Sequence, residues 1–486
     1  MVIQRPALEP LRTAYRLSYL TEAQLDVLQE ATLTILEEVG VRFPSEKALA
    51  ILEAHGAMVE KTSQVVRFPR DLVFKALTTV PRYFSMAARR PDFDLHLQEN
   101  VTFFTTDGCG VETVELDTGH RRPSCKADVG MMARVADYLS SVAFYWPMVS
   151  AQDFGPAAPL HEMDASWNNT VKHVQSETIM GEVPARYAIE MATVLAGSKE
   201  ELRRRPNFSL VVCTIAPLVQ DKEGIEGALV LAEAGIPVGF LAMPTLGTTA
   251  PATMAGALAM ADAEIISAAV LMQLAAPGCP VFHSLMQAWA DPRTGSYVSY
   301  PLDSRGRYGV VEMAHHWGMP SLAACYGTDA LAPGTWQSAA ETALDTFLAG
   351  LASPEIVTGM GLSETYTLLY PEQLLLDSDL YHRARYYLMA LDINDETLAM
   401  EAIRAVGPGG HFLGQKHTRL HMREAMLRSI TQELDANGHY REPHELARER
   451  VRWILENHHP EPLEEIQQRE LVHILSSAEK ELGDVD

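Results

Sequence analysis

With 486 residues, of which 47% are hydrophobic and 21% charged, the chain has ordinary globular composition rather than that of a disordered protein. Its 39 Lys and Arg against 63 Asp and Glu leave a formal charge of −24, which repels nucleic-acid phosphate and anionic headgroups and excludes nucleic acid and membrane as expected partners. Cys109, Cys125, Cys213, Cys279 and Cys325 form no C-x-x-C pair, and the opening MVIQRPALEPLRTAYR lacks an apolar signal core, so a reduced, soluble, cytoplasmic protein is expected.

Along the chain, apolar residues at helical spacing predict a helix over 21–38, with Thr21 as N-cap and Gly40 as its C′ stop. A second helix over 46–55, short strands near Val59 and Val66, and a third helix between Pro69 and Pro81 complete an N-terminal α+β cap, residues 1–95. From about 101 to 361, eight strand candidates begin near Val101, Val142, His173, Phe208, Ile236, Cys279, Ser321 and Pro354, each followed by a helix-like stretch. They are rich in Val, Ile, Phe and Tyr and lack clean alternation, as suits strands buried on both faces. Eight β/α units in one register predict a (β/α)8 TIM barrel over 96–370, with its active site on the loops after the strands.

A β-hairpin insertion is expected over 111–123, turning at Asp117-Thr118-Gly119. Barrel helices are predicted over 128–139, 185–196, 222–234, 254–274, 309–317 and 337–351, two of them stopped by Gly235-Ile236-Pro237 and Gly318-Met319-Pro320. The 254–274 stretch is very apolar, but Asp262 and Glu264 interrupt it, so a barrel helix is expected rather than a membrane span. Residues 371–486 read as a charged helical extension containing a Gly-rich loop at 406–418.

No G-x-x-x-x-G-K-[ST], G-x-S-x-G or H-E-x-x-H motif is present. His161-Glu162 lacks a second histidine at zinc spacing, His315-His316 fit a solvated helix end, and His283 fits a satisfied interior position. No metal site is expected. Aromatic and acidic residues gather at the predicted strand ends: Phe103-Phe104 and Asp107, Tyr145-Trp146, Gln175 and Glu177, Gln287 and Trp289, Tyr326 and Asp329, Glu364 and Tyr366. Of these, Phe104, Tyr145, Glu177, Trp289, Tyr326, Asp329 and Glu364 are the candidate substrate-binding residues. Rings with carboxylates suit a methylated ammonium, each ring contributing ~0.5–2 kcal/mol through cation–π contact. The glycines of 407–414 cannot continue a helix. They form either a structural turn at the barrel mouth or a loop that brings His417 to a ligand.

Several segments together resemble the trimethylamine methyltransferase family of corrinoid-protein methyltransferases, which includes glycine betaine methyltransferases. They are Glu37-Glu38-Val39-Gly40-Val41-Arg42-Phe43, Val66-Arg67-Phe68-Pro69, the run from Ala250 to Ala259 (APATMAGALA), and Val406 to Gly414 (VGPGGHFLG) with His417-Thr418. The resemblance runs from about 20 to 425 and implies a (β/α)8 barrel. It also implies a methyl group moved from a small methylated amine to a Co(I) corrinoid (cobalamin) presented by a separate corrinoid protein. In such a displacement the tertiary amine leaves neutral, so no side-chain acid or base is required, only positioning. Gly409, Gly410 and His411 are then expected beside the corrinoid, His417 beside the donor's polar end, and the protein is expected to be a homo-oligomer.

One departure stands out: where the family typically reads Thr-Asp-Ser-Lys, this chain reads Thr328-Asp329-Ala330-Leu331. The chain also contains only standard residues, whereas trimethylamine-specific members carry pyrrolysine, so a quaternary amine such as glycine betaine is the expected donor. Demethylation of another methylated amine or ether, and non-catalytic binding of a quaternary amine, are the alternatives.

Overall fold

A computed structural model describes residues 5–298, 305–324, 327–364, 367–422 and 429–483. The first predicted helix forms as Glu22–Thr34, closed by a reciprocal capping box between Thr21 and Gln24, and runs on into a wider π turn over Ile35–Val39. It joins a three-stranded antiparallel sheet of Val41–Arg42, Val65–Arg67 and Met58–Glu60, the last two at the expected short strands.

The centre of the protein is a seven-stranded parallel sheet in an α/β fold. Its strands are β1 (Phe103–Thr106), β2 (Val174–Ser176), β3 (Phe208–Cys213), β4 (Val238–Ala242), β5 (Val281–Leu285), β6 (Ser321–Ala324) and β7 (Ile356–Met360), arranged β1-β7-β6-β5-β4-β3-β2. Seven of the eight strand candidates are therefore strands. The eighth, near Val142, is irregular, although Ala143 donates its N–H to Phe104 (2.7 Å), Tyr145 to His173 (2.9 Å), and Gln175 to Tyr145 (2.9 Å). Pro147 supplies no N–H, and the Trp146 N–H goes to the Thr106 hydroxyl at 2.9 Å instead of a main-chain carbonyl.

Side-chain parity divides the sheet into two faces. Phe103, Phe144, Trp146, Val211, Leu241, Phe282, Met286, Leu322 and Ile356 share one buried cluster inside the sheet, plugged at one end by Met86, Leu95 and Leu97. Their neighbours Phe104, Tyr145, Val174, Val212, Phe240, Val281, Ala323 and Val357 point outward into the larger core beneath the helices. Met254–Ala275 is long and apolar enough to cross a membrane, yet 83% of its most apolar window is buried in the protein. It packs beneath Glu22–Thr34 and Arg70–Leu77.

The hairpin insertion forms as Glu112–Val114 with Arg121–Pro123, and it joins Leu362–Ser363 and Leu368–Leu369 in a four-stranded sheet beside the strand ends. In the C-terminal part, Pro371–Leu388 packs against the Trp336–Ala352 helix, Pro443–Asn457 against Pro371–Leu388, and Glu465–Gly483 against the Glu182–Ala196 helix. Between them lie the short helices Asp395–Leu398, Met400–Val406 and Lys416–His421. Lys416–His421 begins inside the stretch predicted as the Gly-rich loop, and residues 423–428 fall outside the described residues.

Candidate active site

Continuing the inward parity of each strand by one residue leads to the site. After Phe103 and Thr105 on β1 comes Asp107; after Gln175 on β2 comes Glu177; Val211 on β3 is followed by Cys213; Phe282 on β5 leads to Met286. Trp146 enters from the irregular segment between β1 and β2. Asp107 and Glu177 are half-buried. Burial pushes the Asp107 carboxyl up to about 7, against the opposing pull of the Thr358 hydroxyl and of the Gly108 N–H, which donates to it at 2.9 Å. Glu177 is pushed up to about 8, first by burial and then by the negative charges of Asp107 and Glu162.

No Lys, Arg or His side chain offsets either carboxyl among the described residues. Glu162, on the Ala158–Asn169 helix, accepts from Thr178 (2.5 Å), Ser150 (2.7 Å) and the Ala151 N–H (3.2 Å), yet burial still raises its pKa. Cys109 and Cys213 feel the same charges. Burial first, then Glu162 and Glu177, raise the Cys109 thiol, and burial with Glu177 and Asp107 raises Cys213. Both are protonated at neutral pH and are poor nucleophiles.

Two buried donors complete the set. Trp146 Nε1 and Gln175 Nε2 have no hydrogen-bond acceptor among the described residues. Gly108 lies against the indole: a Cβ added there would stand 2.4 Å from Trp146 Nε1 and 2.9 Å from the Pro147 carbonyl. The chemistry on offer is thus carboxyls without a cationic partner and N–H donors without an acceptor among the described residues. Among the described residues, no group of three or more His, Cys, Asp or Glu could hold a metal ion.

Of the candidate residues, only Glu177 has a described position in this cluster. Phe104 and Tyr145 belong to the outward face. Phe104 packs edge-on against Tyr381 at 4.9 Å, and Tyr145 donates its hydroxyl to the Val129 carbonyl at 3.1 Å. Their neighbours Phe103 and Trp146 point inward instead, because strands buried on both faces put aromatics on either side. Trp289 sits in Ala288–Ala290, a short strand of the small sheet beyond the ends of β4 and β5. The Asp329 N–H donates to the Glu341 carboxylate at 2.9 Å. Glu364 is held outside the cluster by an ion pair with Arg121 at 2.7 Å. Tyr326 and Tyr366 lie outside the described residues.

The Gly-rich segment is elsewhere. Gly409, Gly410 and His411 are exposed, and His417 lies on Lys416–His421 with its Nε2 3.1 Å from the Glu396 carbonyl and its ring against His421. The other histidines singled out are engaged. His161 stacks on Phe154 and meets Glu479 at 2.8 Å, and His315 meets Glu355 at 3.1 Å. His283 points outward to Asp262 at 2.7 Å.

Asp107, Trp146 and Gln175 were each visible as strand-end residues. Cys109, Cys213 and the supporting Glu162 carried no sequence signal, since lone cysteines and a helical glutamate read as core and surface.

A family profile described as trimethylamine methyltransferase (MTTB) matches residues 3–483. The trimethylamine methyltransferase MttB of Desulfitobacterium hafniense is 30% identical over 476 residues, covering 96% of this chain and 95% of that protein. MttB of Methanosarcina barkeri is 29% identical over 476 residues, covering 96% of each. A glycine betaine methyltransferase of D. hafniense is 27% identical over 479 residues, covering 96% of this chain and 98% of that protein.

Proposed function

The chain belongs to the trimethylamine methyltransferase family, and we propose that it moves a methyl group from a quaternary amine, glycine betaine or a related betaine, to the corrinoid of a separate protein. The observation that carries this reading is the pair Asp107 and Glu177. Two inward carboxyls without a cationic partner keep their protons because nothing nearby stabilises their charge. A quaternary ammonium would supply that stabilisation without needing any hydrogen-bond acceptor. The two idle donors, Trp146 Nε1 and Gln175 Nε2, suit the carboxylate at a betaine's other end, where a charged acceptor makes a stronger bond than a neutral one.

The methyl acceptor is a substrate that brings an electron pair. Its bond to the methyl carbon forms as the C–N bond breaks, and that bond's pair stays on nitrogen. The leaving amine is neutral, so the side chains here need only hold the C–N axis and keep water out. The protonated thiols of Cys109 and Cys213 do not compete for the methyl group.

Gly409, Gly410 and His411 are exposed. The acceptor approaches from the strand-end side, where the donor lies. In the same reading the fold is a (β/α)8 barrel over 96–370 in which 143–149 takes the eighth place between β1 and β2.

The test is a panel of glycine betaine, tetramethylammonium and trimethylamine, read by thermal shift and by methylation of reduced cobalamin in the visible spectrum. Glycine betaine should raise the melting temperature most and alone give rapid methylation. No response to either quaternary amine at high millimolar concentration would remove the proposal.

A further inference from the structure

We infer that residues 386–422 form the surface through which two copies of this chain associate. Twelve of the 29 large apolar side chains exposed among the described residues fall in these 37 positions. They include Leu413 (80% exposed), Leu391 (79%) and Ile393 (69%). At roughly half of ~200 Å² each, twelve such side chains present about 1,200 Å². As a sum over the segment this is of the order of the ~800 Å² per partner of a stable interface.

The patch is held as one unit. His417 Nε2 and the Glu396 carbonyl tie Lys416–His421 to Asp395–Leu398, His421 reaches Glu396 at 3.6 Å, and the helices enclose a cavity of about 460 Å³ that Met400 and Leu420 help line. It joins the body of the protein at its start, where Tyr387, on the Pro371–Leu388 helix, packs against Phe347 at 6.1 Å.

Charge selects the occupant. The whole chain carries −24, but 386–422 contains Asp392, Asp395, Glu396 and Glu401 against Arg404, Lys416 and Arg419. An equally acidic second copy is repelled elsewhere and meets almost no net charge here. Under a two-fold axis the three basic residues of one copy are available to three of the four acidic residues of the other. A basic partner would gain nothing from this patch over the rest of the surface.

Sedimentation velocity over a concentration series tests the inference on the whole protein. The wild type should be a dimer or a multiple of one at micromolar concentration, and Leu391→Glu/Leu413→Glu should dissociate at least ~100-fold more readily. Ile466→Glu, on the distant Glu465–Gly483 helix, should change nothing. Hydrogen exchange on the wild type guards against a misfolded variant: amides of 390–422 should gain protection as concentration rises. A wild type that stays monomeric, or protection confined to other segments, overturns the inference. So does a variant that stays dimeric, or one whose sole defect is lost binding to a corrinoid protein.

Discussion

Glu177 feels the charge of Asp107: burial first, then that charge together with Glu162, holds the Glu177 proton up to about pH 8. A site built from two mutually opposed carboxyls is poorly matched to itself and well matched to a cation.

That relationship makes donor binding depend on pH. Asp107 titrates near 7 and Glu177 near 8, and a bound quaternary ammonium requires both to be ionised. Affinity should therefore rise by about tenfold per pH unit for each proton displaced, between roughly pH 6 and 8, and level off above. Calorimetric titration in buffers of different ionisation heat should show protons released on binding at pH 6.5 and few at pH 9. A flat affinity profile would mean the ammonium sits elsewhere.

The same groups act on stability with the opposite slope. Both folded pKa values lie above the unfolded ones, so the folded chain holds more protons between about pH 4 and 8. Their contribution to stability is fully present below that range and is lost as pH rises through about 8. Asp107→Asn and Glu177→Gln should each stabilise the ligand-free protein at pH 8.5 by roughly 1–2 kcal/mol, little at pH 4.5, and abolish donor binding. Denaturation at both pH values measures this. Equal stability changes at the two pH values would exclude proton linkage as the cause.

Trp146 separates the two ends of the donor. Trp146→Phe keeps a ring but removes the idle Nε1–H. Glycine betaine should bind about tenfold more weakly, from loss of ~1.5 kcal/mol for a bond to a charged acceptor. Tetramethylammonium, which has no carboxylate, should change by less than about twofold. Equal weakening of both ligands would mean the indole contributes only its ring.

Much of this geometry was legible in the sequence, and the part that was not has identifiable physical causes. The β/α alternation located seven of the strands, and the turn at Asp117-Thr118-Gly119 located the hairpin. The doublets Phe103-Phe104 and Tyr145-Trp146 did not say which ring points inward. On a strand buried from both sides a one-residue change of parity exchanges core for site, and composition is silent about it. Asp107 and Glu177 escape that ambiguity because buried carboxyls are rare. The 142 segment failed as a strand through Pro147 and the Thr106 hydroxyl, a competition for hydrogen bonds that strand propensity does not register. The glycines of 407–414 announced an irregular turn, but not which surface it serves.

His417 distinguishes a loop that serves the donor from one that serves another surface. Its Nε2 is engaged with the Glu396 carbonyl, among helices that stand apart from the carboxyl pair. His417→Ala should leave the affinity for glycine betaine within about twofold and remove roughly 1 kcal/mol from the local stability of 390–422, seen as faster amide exchange. A tenfold rise in the apparent Michaelis constant with unchanged exchange would return the histidine to substrate recognition.

His283 and Asp262 show what a buried hydrogen-bonded pair does when it lies on the other face of the same strand. Phe282, before His283, lies in the inward cluster, so His283 points outward to the Met254–Ala275 helix. There Asp262 accepts from His283 Nε2 (2.7 Å), the Thr32 hydroxyl (2.7 Å) and Trp317 Nε1 (2.9 Å). One carboxylate thus ties the central helix to β5, to Glu22–Thr34 and to the end of the Arg305–His316 helix. Asp262→Ala would leave His283 Nε2 and Trp317 Nε1 without an acceptor and the Thr32 hydroxyl with only the Ala259 carbonyl, at a cost of about 3–5 kcal/mol. Urea denaturation should show that loss, while calorimetry on the protein that remains folded should find donor affinity unchanged. Normal stability with lost binding would instead put His283 in communication with the site, and parity would no longer separate the two faces of the sheet.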